Sequence, residues 1–455
     1  MVSRPSLLLT VAGFALAAAA PGSPASAAGR LAVERVKLEN GLQLVLSHQP
    51  AVPIVAIACL VDGGARVDPP GKAGLAGLTG DLLSEGTKGR SSQDIARLVD
   101  AIGAQFSTGS SQDWIELDAS VLARDFETGV DLVARSLREP TFPAEEVDRR
   151  RAEVLGELVA GDDDPHVVAQ RAFRKAVFAD GPYGHPVDGT PATVKAIKRE
   201  DIVAFHRREM NPERTVCTMV GDVETARMRE VASARLGDWK TAQAPPPQPT
   251  AQPTPGAAEQ IVEMPVTQAT IVLGQVGVAR SNPDYFPILL MNHVLGGGGF
   301  TSRLMQKIRT EGGLAYGVSS SFGSTRLPGP FQIMLQTKLE SVADAIRLVR
   351  AEVQKLHDEG ATDAEIEAAK DYLTGSFPLR LDSTSKLASF LAQVQYFGLG
   401  DDYIERYADR VRSVTSEDVR RAAARYLQPD ALVQVIVGPR AALEKKAAGS
   451  SSSPP

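Results

Sequence analysis

The chain has 455 residues, 43% hydrophobic and 23% charged, a globular composition that excludes disorder for its bulk. Its 49 basic and 55 acidic residues leave a net charge of −6 with no basic block, which excludes a nucleic-acid partner, whose binding needs phosphate neutralisation. Two cysteines are too few for a disulfide framework or a Cys-rich zinc site, and six histidines make any imidazole metal site easy to audit.

Residues 1–27 read as a secretory signal peptide. Arg4 supplies positive charge, and Leu7–Ala20 is an apolar run shorter than a membrane span. Pro21-Gly22 ends that run before the small-residue pattern Ala25-Ser26-Ala27. Cleavage before Ala28 predicts a secreted protein, periplasmic if the source is a Gram-negative bacterium, with no membrane attachment afterwards.

The first block spans 33–240. Asn40-Gly41 between VERVKL and LQLVLS predicts a two-residue hairpin. Pro53–Asp62 is an apolar, β-branched run and predicts a buried strand. Cys59 in that run and Cys217 in a later one are expected as buried free thiols; a mutual disulfide is geometrically possible but unsupported. GLAGLTGDLLSEGT (Gly74–Thr87) predicts a helix with Leu75, Leu78, Leu82 and Leu83 on one stripe. Gly77 and Gly80 in its interior cost about 0.5–1 kcal/mol each relative to alanine, so they need a reason such as close packing. Ser91–Asp94 caps a helix whose apolar positions are Ile95, Leu98, Val99 and Ile102. Trp114–Leu122 alternates as a strand, and Phe142–Val168 is charged and helical.

Thr241–Gln260 is dense in Pro, Ala and Gln and reads as a linker over 241–260. The second block, 261–440, has the same mixture of elements, with a strand near Ala269–Val278, a helix near Tyr285–Leu295, a strand near Gly329–Thr337, then helices. Gly296–Gly299 lacks the Lys-Ser/Thr of a phosphate loop and predicts a tight connection before a helix over Phe300–Arg309. The tail 441–455 is expected to be disordered.

The two blocks look like copies. Val194–Gly221 and Val411–Gly438 align without gaps at Val194/Val411, Glu200/Glu417, Asp201/Asp418, Arg208/Arg425, Pro212/Pro429, Val216/Val433, Val220/Val437 and Gly221/Gly438. Each predicts a capped helix, a proline stop and a buried strand. Hairpins mixed with long helices give an α+β class: two homologous domains, each a mainly antiparallel sheet with helices on one face.

The sequence resembles the pitrilysin/insulinase family of zinc metallopeptidases, which includes the mitochondrial processing peptidases. The resemblance rests on GLAGLTGDLLSEGT, RRRAEVLGELVAGDDDP (Arg149–Pro165), YGHPVDGTPATVKAIKREDIVAF (Tyr183–Phe205), GDV (Gly221–Val223) and LGGGGFTSRLMQKIRTEGGLAYGVSSSF (Leu295–Phe322), in that order. It implies a processing-peptidase-like fold forming half of a clamshell. Active members carry H-x-x-E-H in the first of these helices, where two histidines hold zinc and the glutamate activates its water. Here those positions are Gly77, Gly80 and Asp81. The family's third ligand falls on Glu157, and its supporting glutamate is replaced by Arg150. None of His48, His166, His185, His206, His293 and His357 rebuilds the motif. His206 and Glu209 make H-x-x-E on a helix expected to be a solvated face.

The resemblance therefore implies no catalytic residue and no zinc in this chain. Arg309 and Tyr316 stand where family C-terminal halves place a substrate-binding pair facing the zinc across a chamber. A guanidinium grips carbonyl or carboxylate oxygens and a phenol stabilises an oxyanion. The implied protein is the zinc-free subunit of a heterodimeric metallopeptidase. An active H-x-x-E-H-containing homologous subunit supplies the zinc, and this chain helps to bind peptide substrates. The alternatives are a non-enzymatic scaffold, or an active peptidase with a rearranged site at Asp81 and Glu157.

Overall fold

The computed structural model describes residues 31–241 and 257–443. The expected signal peptide, residues 242–256 of the linker and 444–455 of the tail lie outside the described residues.

The Asn40-Gly41 hairpin forms, pairing β1 (Glu34–Lys37) antiparallel with β2 (Gln43–His48). The apolar run becomes β3 (Ile54–Asp62), buried beyond its first residue. The glycine-containing helix is shorter than expected. α1 covers Leu75–Asp81, a 3-10 turn covers Leu82–Ser84, and a small hairpin of β4 (Gly86–Thr87) and β5 (Arg90–Ser91) follows. Gly86 begins that hairpin at φ +132, a backbone conformation that side-chain-bearing residues rarely adopt.

A Ser91/Asp94 capping box starts α2 (Ser92–Ile102). β6 (Gln105–Ser110) and β7 (Trp114–Leu122) come next, with Ile115, Leu117, Ala119 and Val121 of β7 turned into the core. α3 (Phe126–Arg138) packs beneath them. The charged helical stretch is two helices, α4 (Ala144–Gly161) and α5 (Pro165–Phe178). Pro165 opens α5, and the Asp164 side chain accepts from the His166 amide, so one helix ends and a new one is capped. The half closes with α6 (Pro191–Ala196), α7 (Arg199–Glu209), β8 (Thr215–Gly221) and α8 (Thr225–Leu236).

The second half begins with β9 (Glu259–Val262), so Glu259 and Gln260 belong to a strand rather than to the expected linker. Then come β10 (Gln268–Val276) and α9 (Tyr285–Asn292), which runs on as a π-helical turn over His293–Gly297. The helix expected over Phe300–Arg309 is a 3-10 turn at Gly299–Thr301 and a π-helical segment at Met305–Glu311. Ser302 is extended (φ −71, ψ 151), which separates the two. β11 (Ala315–Phe322) and β12 (Pro330–Lys338) precede α10 (Val342–Glu359), α11 (Asp363–Ser376), α12 (Thr384–Phe397), α13 (Tyr403–Arg412), α14 (Ser416–Tyr426) and β13 (Val433–Val437). The tail is not featureless throughout: Leu443 packs into the second core, 9% exposed.

The first sheet has the order β1-β2-β8-β3-β7-β6 and the second β11-β12-β10-β13-β9. In each, one parallel pair (β2/β8, β9/β13) adjoins a run of antiparallel strands. Leaving out β1, one order maps on the other, and the aligned segments become α7–β8 and α14–β13. The halves also exchange cover. Ala169, Phe173 and Val177 of α5 pack on Val272, Val433 and Val435 of the second sheet, while α12 lies across β3 and β8 of the first. Gly274 makes room for this, since a β-carbon there would come within 2.7 Å of the Phe173 ring.

The cysteine expectation is corrected. Cys59 on β3 and Cys217 on β8 are direct antiparallel partners and form a disulfide. The apolar runs that made both residues look like core thiols are adjacent strands, and their register places the two sulfurs face to face.

Candidate functional site

α1 and α4 carry the first set of candidate residues. Asp68 starts this region, its carboxyl accepting the Gly74 and Ala76 amides at 2.9 and 2.8 Å at the head of α1. Burial pushes that carboxyl up to about 7. The interior glycines of α1 have the packing reason the sequence required. A β-carbon on Gly77 would stand 2.9 Å from the Val187 carbonyl oxygen. On Gly80 it would stand 2.5 Å from the Gly109 carbonyl oxygen of β6. Both neighbours are backbone, so neither position has room for an imidazole or a carboxylate.

Asp81, Arg150 and Glu157 do come together. Arg150 Nε donates to Asp81 Oδ2 at 2.9 Å, and its Nη1 donates to Glu157 Oε1 at 3.0 Å and to Glu153 Oε2 at 3.3 Å. Burial raises the Asp81 carboxyl, and the Arg150 charge opposes that rise. The two acids left from a zinc site are thus bridged by a guanidinium, a fixed cation where the family places a metal. The donor set does not fit zinc, which takes imidazole or thiolate nitrogen and sulfur far better than two carboxylates tied to arginine. Among the described residues no group of three or more His, Cys, Asp or Glu side chains is arranged to hold a metal. In the sequence Arg150 is visible only as a missing glutamate. Its spacing from Glu157, two helical turns on the same face of α4, was the available signal for the bridge.

The second set lies in the other half. Arg309 belongs to the π-helical segment and its guanidinium covers the Phe300 ring at 4.7 Å. Phe300 is 66% exposed. Tyr316 sits on β11, the edge strand, where the register to β12 shifts between Ala315 and Val318. That bulge turns Tyr316 outward, 85% exposed. The Tyr316 ring borders a cavity of about 530 Å³ whose other walls include Gly296, Gly297, Met305, Met334 and His166 of α5. Phe300 and the methionines were not anticipated; a sequence pattern does not reveal which apolar residues stay uncovered after the chain packs.

The solvated-face reading of His206 and Glu209 is corrected. Glu209 is fully buried and accepts from Arg208 and from Arg214 at 3.2 Å. His206 Nε2 donates to the Leu137 carbonyl at 2.9 Å, and burial pushes its pKa down to about 4. The unfolded ring titrates near 6.5, so the unfolded chain binds the extra proton between those values and stability falls as pH drops from about 7 to 4. The loss attributable to this ring is about 3 kcal/mol at its limit. Urea melts of His206→Phe against the parent at pH 7 and pH 4 are expected to show that loss removed; parallel losses in both proteins would refute it.

Two α+β halves, a helix pair in the place of an inverted zinc motif, and an arginine and a tyrosine in the other half define the metallopeptidase class of fold without the two histidines and the glutamate of its H-x-x-E-H motif. The insulinase (peptidase family M16) profile matches residues 43–191, and the peptidase M16 inactive domain profile matches residues 196–373. A zinc protease of Mycobacterium leprae, named as uncharacterized, is 31% identical over 405 residues, 88% of this chain and 91% of that protein. One of Streptomyces coelicolor, also so named, is 30% identical over 86% of each chain. A non-peptidase homolog of Helicobacter pylori is 23% identical over 83% of this chain and 87% of that protein. Among solved structures, a peptidase M16 inactive domain from Pseudomonas fluorescens superposes with a TM-score of 0.85 at 27% identity, covering 90% of this chain and 98% of that one. The chain belongs to the insulinase family, peptidase family M16, as a member lacking the H-x-x-E-H motif.

Proposed function

We propose that this chain is the exported, zinc-free subunit of a heterodimeric M16 peptidase and that it binds peptide for a homologous subunit carrying the intact motif. The observation that carries the reading is the Arg150 bridge between Asp81 and Glu157, beside glycines whose β-carbons would strike backbone. A site closed in this way has no open coordination position for substrate or water. The disulfide supports export, since such bonds persist in oxidising compartments. Among the described residues no helix is long and apolar enough to cross a membrane.

Peptide contact falls to Arg309, to Tyr316 and to the cavity that Tyr316 borders. The Arg309 guanidinium, stacked on Phe300, is held for a carbonyl or carboxylate oxygen. Tyr316 offers a hydroxyl and an uncovered ring. Co-purification of the native protein from its host, followed by zinc analysis of the complex, tests the pairing. Zinc is expected in the partner only, with cleavage of a reporter peptide by the pair and none by this chain alone. Arg309→Ala or Tyr316→Phe is expected to lower the stimulation of the partner about tenfold, the worth of one good polar contact. Unchanged stimulation would refute the role given to the pair. Stoichiometric zinc in this chain with chelator-sensitive cleavage would refute the proposal.

A further inference from the structure

The end of α3, the turn that leads to α4, one face of α7 and the residues after α8 enclose a cavity of about 440 Å³. Its charges do not balance. Arg138, Arg199, Arg207 and Lys240 line it against a single acid, Glu139. Arg138 is held by Asp238, which does not line the cavity, at 2.8 Å and by the Arg235 carbonyl. Glu139 stands 3.9 Å from Arg135, also outside the cavity. Arg199, Arg207 and Lys240 are then left over. Arg199 donates from Nε to the Phe142 carbonyl at 2.6 Å and from Nη2 to the Thr141 carbonyl at 2.9 Å. Those carbonyls orient the guanidinium without neutralising it. The Arg207 and Lys240 side chains make no hydrogen bond or ion pair among the described residues. His206, the remaining titratable group of the wall, adds no charge at neutral pH, because burial and then the Arg207 charge hold its pKa down at about 4.

Phe142, Met210 and Trp239, all buried, give the cavity an apolar wall. A cleft lined by one sign of charge against low-dielectric walls focuses its field and gathers counter-ions, as scattered surface lysines do not. Arg199 and Arg207 stand two turns apart on one face of α7, about 12 Å along the axis, so the positive charge is spread along the cavity. We infer that this cavity binds a phosphoryl oxyanion, held by Arg207 and Lys240 with Arg199 at the far end. A phosphoryl group brings about two charges and three acceptor oxygens in a compact volume and matches the guanidinium fork, where a carboxylate brings one charge. The geometry serves free diphosphate or the phosphate monoester of a larger molecule equally well, because the group recognised is the same. The cavity shares no lining residue with the one beside Tyr316, so its occupancy is independent of the proposed pairing.

Calorimetric titration of the purified chain at low ionic strength with inorganic diphosphate and with glycerol 3-phosphate tests it. Glycerol serves as the neutral control and triglutamate as the carboxylate control. Saturable binding of at least one phosphoryl compound, tighter than triglutamate, and none of glycerol is expected. Arg207→Gln and Lys240→Gln are each expected to weaken that binding about tenfold, as for loss of a charge-assisted hydrogen bond. Lys338→Gln, at an exposed lysine ending β12 in the other half, is expected to leave it unchanged. The His206 ring resonances, assigned by their loss in His206→Phe, should shift along the same saturation curve. Binding of diphosphate alone identifies a free-anion site; binding of glycerol 3-phosphate identifies a phosphate-ester site; either supports the inference. Melting temperatures of the variants establish that they fold. No binding of either phosphoryl compound at about 10 mM, triglutamate binding as tightly, or equal binding by parent, Arg207→Gln and Lys240→Gln would overturn it.

Discussion

Replacing Cys59 and Cys217 together by alanine is expected to lower the unfolding free energy by about 3–5 kcal/mol. The two residues are 158 positions apart, so the bridge closes a loop of most of the first half. The chain-entropy account gives about 5 kcal/mol for a loop of that size, an upper value because unfolded chains retain some compactness. Both cysteines are fully buried in adjacent strands of the first sheet, so the effect on folded-state packing is small by comparison. Chemical denaturation of the double variant, and of the parent with reductant, should give the same loss. A change below about 1 kcal/mol in either would show that the bridge does not hold the first sheet together. The second sheet, which contains no cysteine, should then unfold last under reducing conditions, a result readable by hydrogen exchange in β10 and β12.

That bridge also marks the limit of what is legible in the sequence. The strands holding Cys59 and Cys217 were legible from their apolar runs, and the Asn-Gly hairpin and the alternating Trp114–Leu122 strand from local chemistry. Register between β3 and β8 was not, because it is set by residues far apart in the chain. The same limit explains His206 and Glu209. A helical pattern rich in charge looks solvated until Arg208 and Arg214 are known to converge on Glu209. The candidate site divides likewise. The loss of imidazoles at Gly77 and Asp81 could be read directly, and so could the glycine anomaly at Gly80. What Arg150 does in their place required the third dimension. At Tyr316 the residue was identified by its position in a motif, while its exposure comes from a bulge that no periodicity announces.

Gly80→Ala is expected to destabilise the protein by about 1–3 kcal/mol, although helix propensity alone favours it by about 1 kcal/mol. The two effects oppose, and distance decides between them. An added β-carbon would come within 2.5 Å of the Gly109 carbonyl oxygen and 3.0 Å of the Ser110 nitrogen, both backbone atoms of β6. A flexible side chain would swing aside; a strand paired along its length with β7 does not. Rebuilding the motif by Gly77→His, Gly80→Glu and Asp81→His adds larger groups to the same contacts. It also removes the carboxylate that Arg150 holds, leaving that guanidinium facing any incoming metal. The triple variant is therefore expected to fold poorly and to bind no stoichiometric zinc. Adding Arg150→Glu relieves the charge conflict but not the backbone contacts. A raised melting temperature for Gly80→Ala would show that β6 yields. Stoichiometric zinc in the triple variant, with chelator-sensitive peptide cleavage, would show that the loss of the metal site is a matter of missing ligands alone and not of a helix repacked against its sheet.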